Sequence, residues 1–296
     1  MNSITNQWSD IGNQQAICQV SATWESHFIY VKNWTAHLPV EEIKSNIILL
    51  HDIGHYGESF SNFINWIKAK NKNIAIYTID CIGHGLSTGT RGHVDEFETY
   101  ISDLLRAFKN INFHNREVYV LGHGMGGLMA IDLYNRYSHH LNFKLQGLIL
   151  TSFIMKYDQF LLNANWSKML ANGFFKRLKI NNFFEPNLLT NFQEAGIAFA
   201  QDPLVVHRPS LGLVRELKEK SLSIYQDAYY LDVPIFVAWS ENDHYLNKLG
   251  MNYFVKGVKK ELLFEKKYSL MRHDLYNERD SLTFFEDLLN WILKHE

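Results

Sequence analysis

A glycine-dense turn lies between an apolar run and a helical pattern near the middle of the chain, at Gly122-His123-Gly124-Met125-Gly126. In a strand–turn–helix of the form G-x-S-x-G, the serine is a nucleophile and the N–H group of the next residue stabilises an oxyanion. Here the central position is Gly124, which has no hydroxyl group, whereas the N–H of Met125 remains. The spacing indicates an acyl-transfer site whose attacking side chain is missing.

Two later residues have the types that such a site needs. Asp243 follows the apolar run PIFVAW, and His273 precedes the last helical pattern. In acyl transfer the histidine takes the nucleophile's proton, and the aspartate holds the imidazole in the correct tautomer. Alone, Asp243 is more typical of a helix cap or a turn, and His273 is more typical of a surface or hydrogen-bonded histidine than of a base. Together they give the order along the sequence, with nucleophile position first, then acid, then base, that is known for catalytic triads whose nucleophile follows a strand.

The glycine turn has two other interpretations. Gly122, Gly124 and Gly127 also match G-x-G-x-x-G, the spacing of a turn that cradles phosphates. Against this, the turn does not follow the first strand, and no acidic residue ends a strand about 20 residues later. The remaining interpretation is a plain tight turn, which Asp243 and His273 make a weaker explanation.

The elements that must position these residues alternate between strands and helices. Near-continuous apolar runs predict strands that are buried on both faces, and 3.6-residue periodicity predicts helices between them. This order predicts an α/β fold with a mainly parallel, doubly wound sheet, whose sites lie beyond the carboxyl ends of the strands. The predicted strands are Asn46–Leu50, Ile74–Ile79, Glu117–Leu121, Gln146–Thr151, Pro234–Trp239 and Glu261–Phe264, after an antiparallel lead-in at Cys18–Val20 and Phe28–Val31. The predicted helices are Phe60–Lys68, Phe97–Asn110, Gly126–Tyr137 and Ser281–Lys294.

One long stretch, residues 154–231, interrupts the alternation with helical pieces rich in aromatic residues. We interpret it as a helical cap inserted between two parts of the core, residues 1–153 and 232–296. A second small domain with its own core is the alternative. If the stretch is a cap, its aromatic residues are candidates for binding an apolar substrate, among them Phe160, Trp166, Phe174 and Phe175.

Composition narrows the functional classes. The 296 residues carry a formal net charge of -2, which argues against an electrostatic nucleic-acid partner. The apolar runs are strand-sized, so we expect no stable membrane insertion. The N-terminal residues do not resemble a signal peptide, and Cys18 and Cys81 are too few for a disulfide framework. These features predict a cytoplasmic protein.

A long motif over Asp80–Leu104, DCIGHGLSTGTRGHVDEFETYISDL, resembles the monoacylglycerol lipase/lysophospholipase-like branch of the α/β-hydrolases, also called serine aminopeptidase-like. The resemblance spans about residues 25–293. It continues in HDIGH at His51–His55, in GHGMGG, in Asp202-Pro203-Leu204, in Trp239–Asp243 and in His273-Asp274. It implies an α/β-hydrolase fold with a cap and hydrolysis of an ester with a long acyl chain.

The resemblance also implies roles for individual residues. Ile53 and Met125 would supply the oxyanion amides, Asp243 the acid and His273 the base, while Gly124 stands where the family has serine. Asp52, where the family usually has glycine, either adds negative charge beside the oxyanion loop or points away as a turn residue. No metal or organic cofactor is implied; the spacing of His51 and His55 in a loop does not favour a metal site.

Two functional classes therefore remain. The chain is either a serine ester hydrolase silenced by Gly124 or a non-catalytic module that binds a lipid-like ligand or a protein. Ser87 and Ser152 follow other strands and do not replace the missing hydroxyl. Because Asp243 and His273 are present, we expect Gly124→Ser to restore turnover. The residues do not predict the oligomeric state or the head group of the substrate.

Overall fold

The computed structural model describes residues 8–11, 15–22, 27–157 and 173–296. Within these residues nine strands form one mixed sheet. The strands are β1 (Ser9–Ile11), β2 (Gln15–Ser21), β3 (Phe28–Asn33), β4 (Ser45–Leu50), β5 (Ile74–Asp80), β6 (Glu117–His123), β7 (Leu145–Thr151), β8 (Ile235–Ser240) and β9 (Leu263–Tyr268). Their order across the sheet is β1-β2-β3-β5-β4-β6-β7-β8-β9.

Helices connect most of the parallel strands and cover both faces of the sheet. They are α1 (Ser61–Lys70), α2 (Glu98–Asn110), α3 (Met125–Tyr137), α4 (Pro186–Leu189), α5 (Gln193–Gln201), α6 (Leu211–Asp227), α7 (Lys248–Gly257) and α8 (Ser281–His295). In the described part of the chain, no helix combines the length and the apolar character that crossing a bilayer requires. The predicted α/β fold is confirmed.

The central strands are apolar throughout because both of their faces are buried. In β4, Ile48 and Leu50 join one core cluster with residues of α2 and α3, whereas Ile47 and Leu49 join a second cluster with α1 and α8. Alternate residues of a strand point to opposite faces, so a continuous apolar run is what a sheet packed on both sides requires.

Strand order brings the candidate residues together. β4 pairs in parallel with β5 on one side and with β6 on the other, and β7 and β8 continue the parallel series. The carboxyl ends of these strands therefore lie along one edge of the sheet. The chain reverses direction across the sheet at β4, and such switch points form crevices that bind ligands in open α/β sheets. Asp52 follows β4, and Gly124 follows its neighbour β6.

The predicted antiparallel lead-in is confirmed, because β2 pairs with β3 and β3 pairs with β5 in antiparallel fashion. Most element bounds differ from the sequence-based expectation by one or two residues, and two differences are larger. The last strand is Leu263–Tyr268 rather than Glu261–Phe264, and helix α7 was not predicted. β9 lies at the sheet edge with half-exposed charged residues, so its sequence lacks the apolar run of a central strand.

The described residues between β7 and β8 form helices α4, α5 and α6 with short single turns. Of the four aromatic residues proposed to bind substrate, Phe160 and Trp166 lie outside the described residues, as does the side chain of Phe174. Phe175 is half-buried in the turn Gly173–Arg177, which packs against α6. The division of the chain at residues 154 and 231 stays a prediction.

The motif at Asp80–Leu104 forms hydrogen bonds with the loops at the sheet edge and with the segment before α6. The Asp80 carboxylate accepts hydrogen bonds from the N–H groups of Gly57 (2.7 Å) and Leu86 (2.8 Å). Farther along, His93 Nδ1 lies 2.7 Å from Ser210 Oγ, and the Ser210 N–H donates to the Gly92 carbonyl at 2.8 Å. These buried contacts hold the helical segment over the strand ends.

Candidate functional site

The turn after β6 brings the start of helix α3 close to the end of β4. Gly124 has φ +52° and ψ −117°, a backbone conformation that L side chains rarely adopt. A Cβ placed on Gly126 would overlap the Leu50 carbonyl, so only glycine allows this approach of helix and strand. The backbone thus has the sharp strand-to-helix turn on which a hydrolase displays its nucleophile.

Asp243 and His273 lie in contact, as the sequence pattern predicts for an acid and a base. Asp243 Oδ2 is 2.8 Å from His273 Nδ1, and both side chains are buried. The other carboxylate oxygen, Oδ1, accepts the N–H groups of Tyr245 (2.8 Å) and Leu246 (3.1 Å). This arrangement fixes the imidazole with Nδ1–H towards Asp243 and directs Nε2 towards the turn after β6.

Asp52 occupies the space between that imidazole and the turn. Its Oδ1 accepts the Met125 N–H at 2.6 Å, and its Oδ2 is 3.1 Å from His273 Nε2. A Cβ placed on Gly124 would overlap Oδ1 and Cγ of Asp52 and lie 2.6 Å from Oδ2. The carboxylate therefore fills the volume of a side chain at position 124. The alternative in which Asp52 points away is wrong.

The contacts of Asp52 bear on the oxyanion site as well. The Met125 N–H, expected to stabilise an oxyanion, already donates to a carboxylate at the beginning of α3, where the helix dipole favours negative charge. Ile53, the other expected donor, follows Asp52 and is fully buried. The two departures from the family pattern, Asp52 and Gly124, are thus sterically coupled.

Asp52, Asp243 and His273 form a buried charged cluster, and their charges shift the pKa values of His273 and Asp52. Burial disfavours the charged form of His273, but Asp243 and Asp52 outweigh burial and raise its pKa to about 10. Burial alone would raise the pKa of Asp52, yet its bond to His273 and the positive charge there hold it below its ordinary value. At neutral pH the imidazolium of His273 therefore lies between two carboxylates.

We expect histidine NMR to report this ion pair directly. In metal-free protein, the His273 ring should stay protonated up to about pH 8, well above the ordinary pKa near 6.5. Asp52→Asn removes one of the two carboxylates and should lower the His273 pKa by at least about one unit. A His273 resonance that titrates near 6.5 in the parent would contradict the ion pair.

Other buried histidines surround this cluster. His51 donates Nδ1–H to the Asp52 carbonyl (2.8 Å) and accepts the Cys81 N–H at Nε2 (2.9 Å), so both of its ring nitrogens are engaged. Burial lowers the pKa of His51 to about 4, and burial together with the charge of His273 lowers that of His123 to about 4. Among the described residues, Asp52, His123 and His273 form a compact group of donors that could hold a metal ion.

The sequence predicts that Asp243, His273, Gly124 and Met125 belong to one site, and the structure brings them together. His123 is an additional neighbour of His273 that the sequence pattern does not predict; the two ring centroids are 5.0 Å apart. The signal was available in the turn itself, because His123 ends β6 one residue before Gly124. Ser87 and Ser152 each donate their hydroxyl to a backbone carbonyl, those of Asp80 and His273 respectively.

A cavity of about 350 Å³ lies beside the cluster. Its lining combines aromatic and acidic side chains, among them His55, Tyr56, Phe192, Phe199, Asp202 and Asp274. His55 connects the cavity to the site, since its ring centroid is 6.0 Å from that of His123 and its Nε2 is 3.5 Å from Asp274 Oδ2. The volume is at the lower end of small-molecule sites.

Two known proteins are similar to this chain over most of its length. The chain is 24% identical over 258 residues to phospholipase YtpA of Bacillus subtilis (strain 168), which covers 86% of this chain and 95% of the relative. It is 24% identical over 266 residues to the monoacylglycerol lipase of Mycolicibacterium smegmatis, covering 88% of this chain and 91% of the relative.

Solved structures show the same fold. A soluble variant of monoglyceride lipase from Saccharomyces cerevisiae, in complex with a substrate analogue, superposes with a TM-score of 0.77 at 17% identity, covering 100% of this chain and 96% of that one. The monoacylglycerol lipase of Paleococcus ferrophilus gives a TM-score of 0.72 at 18% identity over 86% of this chain and 97% of its own. The model of the serine aminopeptidase S33 family matches residues 41–280. The chain belongs to this family, in the monoacylglycerol lipase-like branch of the α/β-hydrolases.

Proposed function

We propose that this protein has a carboxylic-ester hydrolase site of the monoacylglycerol lipase/lysophospholipase type, for lipid-like acyl esters, in which the serine mechanism is blocked. Gly124 takes the place of the nucleophile, and Asp243 and His273 are the acid and base of the remaining triad. Met125 and Ile53 are the oxyanion donors. The helical stretch between β7 and β8 is the cap that covers the acyl chain. The chain as it stands is therefore nearly inactive as a serine esterase.

The position of Asp52 is the observation that supports this proposal. A serine esterase needs an open space between its nucleophile, the imidazole and the oxyanion amide. In this protein the Asp52 carboxylate fills that space and hydrogen-bonds both the Met125 N–H and His273. Because no side chain at position 124 supplies a hydroxyl, a water molecule or another group would have to attack.

Binding without turnover tests the proposal. In the presence of EDTA, we expect the protein to bind a non-hydrolysable ether analogue of a monoacylglycerol, measured by calorimetry. We also expect hydrolysis of acyl esters at the background rate and no covalent labelling by a fluorophosphonate. The pocket survives because its walls are independent of the nucleophile, whereas labelling requires an activated hydroxyl.

A matched pair of variants shows whether the cavity beside the site is used. Ala198 lines the cavity and is exposed, whereas Ala200 is exposed on the same helix α5 and is outside that lining. Ala198→Trp should weaken binding of the ether analogue by about tenfold or more, and Ala200→Trp should leave it unchanged. Rapid turnover by the parent, or absence of binding to all acyl-chain lengths, would refute the proposed function.

A further inference from the structure

We propose that Asp52, His123 and His273 form a binding site for a first-row divalent metal ion such as Zn²⁺. One donor atom from each residue lies within 4.8 Å of the other two, and none of the three side chains is more than 2% exposed. The site differs from the expectation of no metal that the family resemblance carries. It goes beyond the proposed ester hydrolysis, although it shares His273 with that site, because it assigns a ligand to Asp52 and His123, which have no role in the serine mechanism.

Each imidazole is already oriented as a metal ligand. His273 directs Nδ1 to Asp243 at 2.8 Å, and His123 directs Nδ1 to the backbone carbonyl and hydroxyl of Thr151 at 3.2 and 3.0 Å. Metal-binding histidines characteristically donate their second ring N–H to a carboxylate or a carbonyl, which fixes the tautomer and the ring plane. In both residues Nε2 is consequently the nitrogen available to an ion.

The surroundings of the second ring nitrogen of His123, Nε2, indicate that a ligand is missing. His123 is 2% exposed, and its Nε2 has no hydrogen-bond partner within the described parts of the chain. A buried polar atom without a partner costs roughly 1–3 kcal/mol, so native proteins rarely keep one. A metal ion between His123, His273 and Asp52 would satisfy this atom.

The donor set favours an ion such as Zn²⁺. Two imidazole nitrogens and one carboxylate oxygen are ligands of zinc in open sites, with bonds of about 2.0–2.2 Å and a fourth position for water. Asp52 Oδ2 and His273 Nε2 are 3.1 Å apart, close to the separation of two ligands around a tetrahedral ion. The ion would replace the proton that these two atoms share, and His123 would move towards it. A zinc ion in such a site lowers the pKa of bound water to about 7.

Titration of the intact, metal-free protein tests the site. After dialysis against EDTA and removal of the chelator, calorimetry with Zn²⁺ near pH 8 should show one ion bound per chain and release of about one proton, since the ion must displace the proton that His273 still holds at this pH. Saturation at about 100 times Kd should raise Tm by roughly 5–10 °C. Co²⁺ should give the intense visible absorption of a four- or five-coordinate site. A parent protein that binds neither ion would overturn the proposal.

Matched variants separate this site from adventitious binding. Asp52→Asn keeps the side-chain shape but removes the ligand charge, and His123→Gln removes a nitrogen ligand; each should weaken Zn²⁺ binding by about tenfold or more. His139 and His140 are adjacent, exposed histidines that could bind zinc at the surface. His139→Gln/His140→Gln should leave the affinity unchanged. Loss of binding in this control, with retention in Asp52→Asn, would refute the assignment.

A measurement on the parent keeps the proposal testable if the buried variants fail to fold. Proton NMR of the Co²⁺-loaded protein should show two exchangeable, hyperfine-shifted imidazole N–H signals, from Nδ1 of His123 and His273. Fewer than two such signals would contradict coordination by both rings. The variant Asp52→Gly/Gly124→Ser, which tests ester hydrolysis in the Discussion, lacks the proposed metal ligand Asp52. Its hydrolysis rate therefore tests the proposed function independently of the metal titration of the parent.

Discussion

Asp52→Gly/Gly124→Ser is expected to hydrolyse acyl esters at least about 10³-fold faster than the parent and to be labelled by a fluorophosphonate. The first substitution removes the carboxylate from between His273 and the Met125 N–H, and the second places a hydroxyl on the strained turn after β6. Asp243 still holds the imidazole at 2.8 Å. Removal of the Asp52 charge also lowers the His273 pKa, which frees Nε2 to accept a proton.

The single substitutions are the controls for this gain. Gly124→Ser alone should stay inactive, because its Cβ overlaps the Asp52 carboxylate in a backbone conformation unfavourable to side chains. It should also destabilise the protein by about 2–5 kcal/mol, the sum of overpacking and backbone strain. Asp52→Gly alone has no hydroxyl and should stay unlabelled. Because of this overlap, our expectation for serine alone differs from the sequence-based one, in which Gly124→Ser by itself restores turnover.

Two measurements on the parent, the two single variants and the double variant test this prediction. They are the hydrolysis rates on esters of short, medium and long acyl chains, and the free energy of unfolding in urea. Activity in Gly124→Ser equal to that of the double variant would show that Asp52 moves aside freely. A folded double variant without hydrolysis or labelling would show that His273 and Asp243 do not act as a base and its partner.

His273→Leu is expected to lower the free energy of unfolding by about 3–5 kcal/mol near pH 7. The substitution removes the one positive charge between Asp52 and Asp243 and leaves two carboxylates buried in a space that excludes water. Breaking a buried pair on one side is costly because the remaining charge is not compensated. Urea unfolding in the presence of EDTA measures the loss.

The pH dependence gives this prediction a distinct signature. In the parent, His273 has a raised pKa of about 10, so its contribution is fully present below about pH 6.5 and is lost as pH rises towards 10. In His273→Leu, the carboxyl pKa values rise on burial, so the variant is most stable when these groups are protonated. The stability deficit should therefore be smaller near pH 5 than near pH 6.5, where the contribution of His273 to the parent is still complete. A deficit independent of pH would indicate lost packing instead.

A double-mutant comparison removes the remaining ambiguity. In the background Asp52→Asn/Asp243→Asn the carboxylates are neutral amides, so His273→Leu should cost much less than in the parent. The difference between the two costs is the coupling energy of the charged cluster. An equal cost in both backgrounds would contradict the electrostatic explanation.

Much of the fold followed from local patterns that act over short distances. Apolar runs such as Ile47–Leu50 predicted buried strands because both faces of the central sheet are covered. The glycines around position 124 predicted the close turn, and the residues after β8 and before α8 predicted the acid and the base. Strand order then brought Asp243 and His273 together, since the parallel strands end at one edge.

The direction of the Asp52 side chain did not follow from such patterns. It depends on whether a side chain is present at position 124, after the neighbouring strand. Residues 52 and 124 are 72 positions apart in the chain (124 minus 52), so a local sequence pattern does not contain both. The pairing of His123 with His273 has the same origin. The bounds of β9 and the presence of α7 were not predicted for a different reason: both elements lie where burial is partial, so apolar periodicity is weak.

The overlap between Asp52 and a side chain at position 124 constrains the order in which mutations can accumulate. A chain with this carboxylate gains nothing from a serine codon at 124, because the new side chain meets an occupied space. Replacement of Asp52 must come first, and this step by itself removes one of the two carboxylate partners of the His273 imidazolium before any benefit arises. We therefore expect the two positions to be epistatic, so that a serine at position 124 becomes useful only in a chain that has already lost the Asp52 carboxylate.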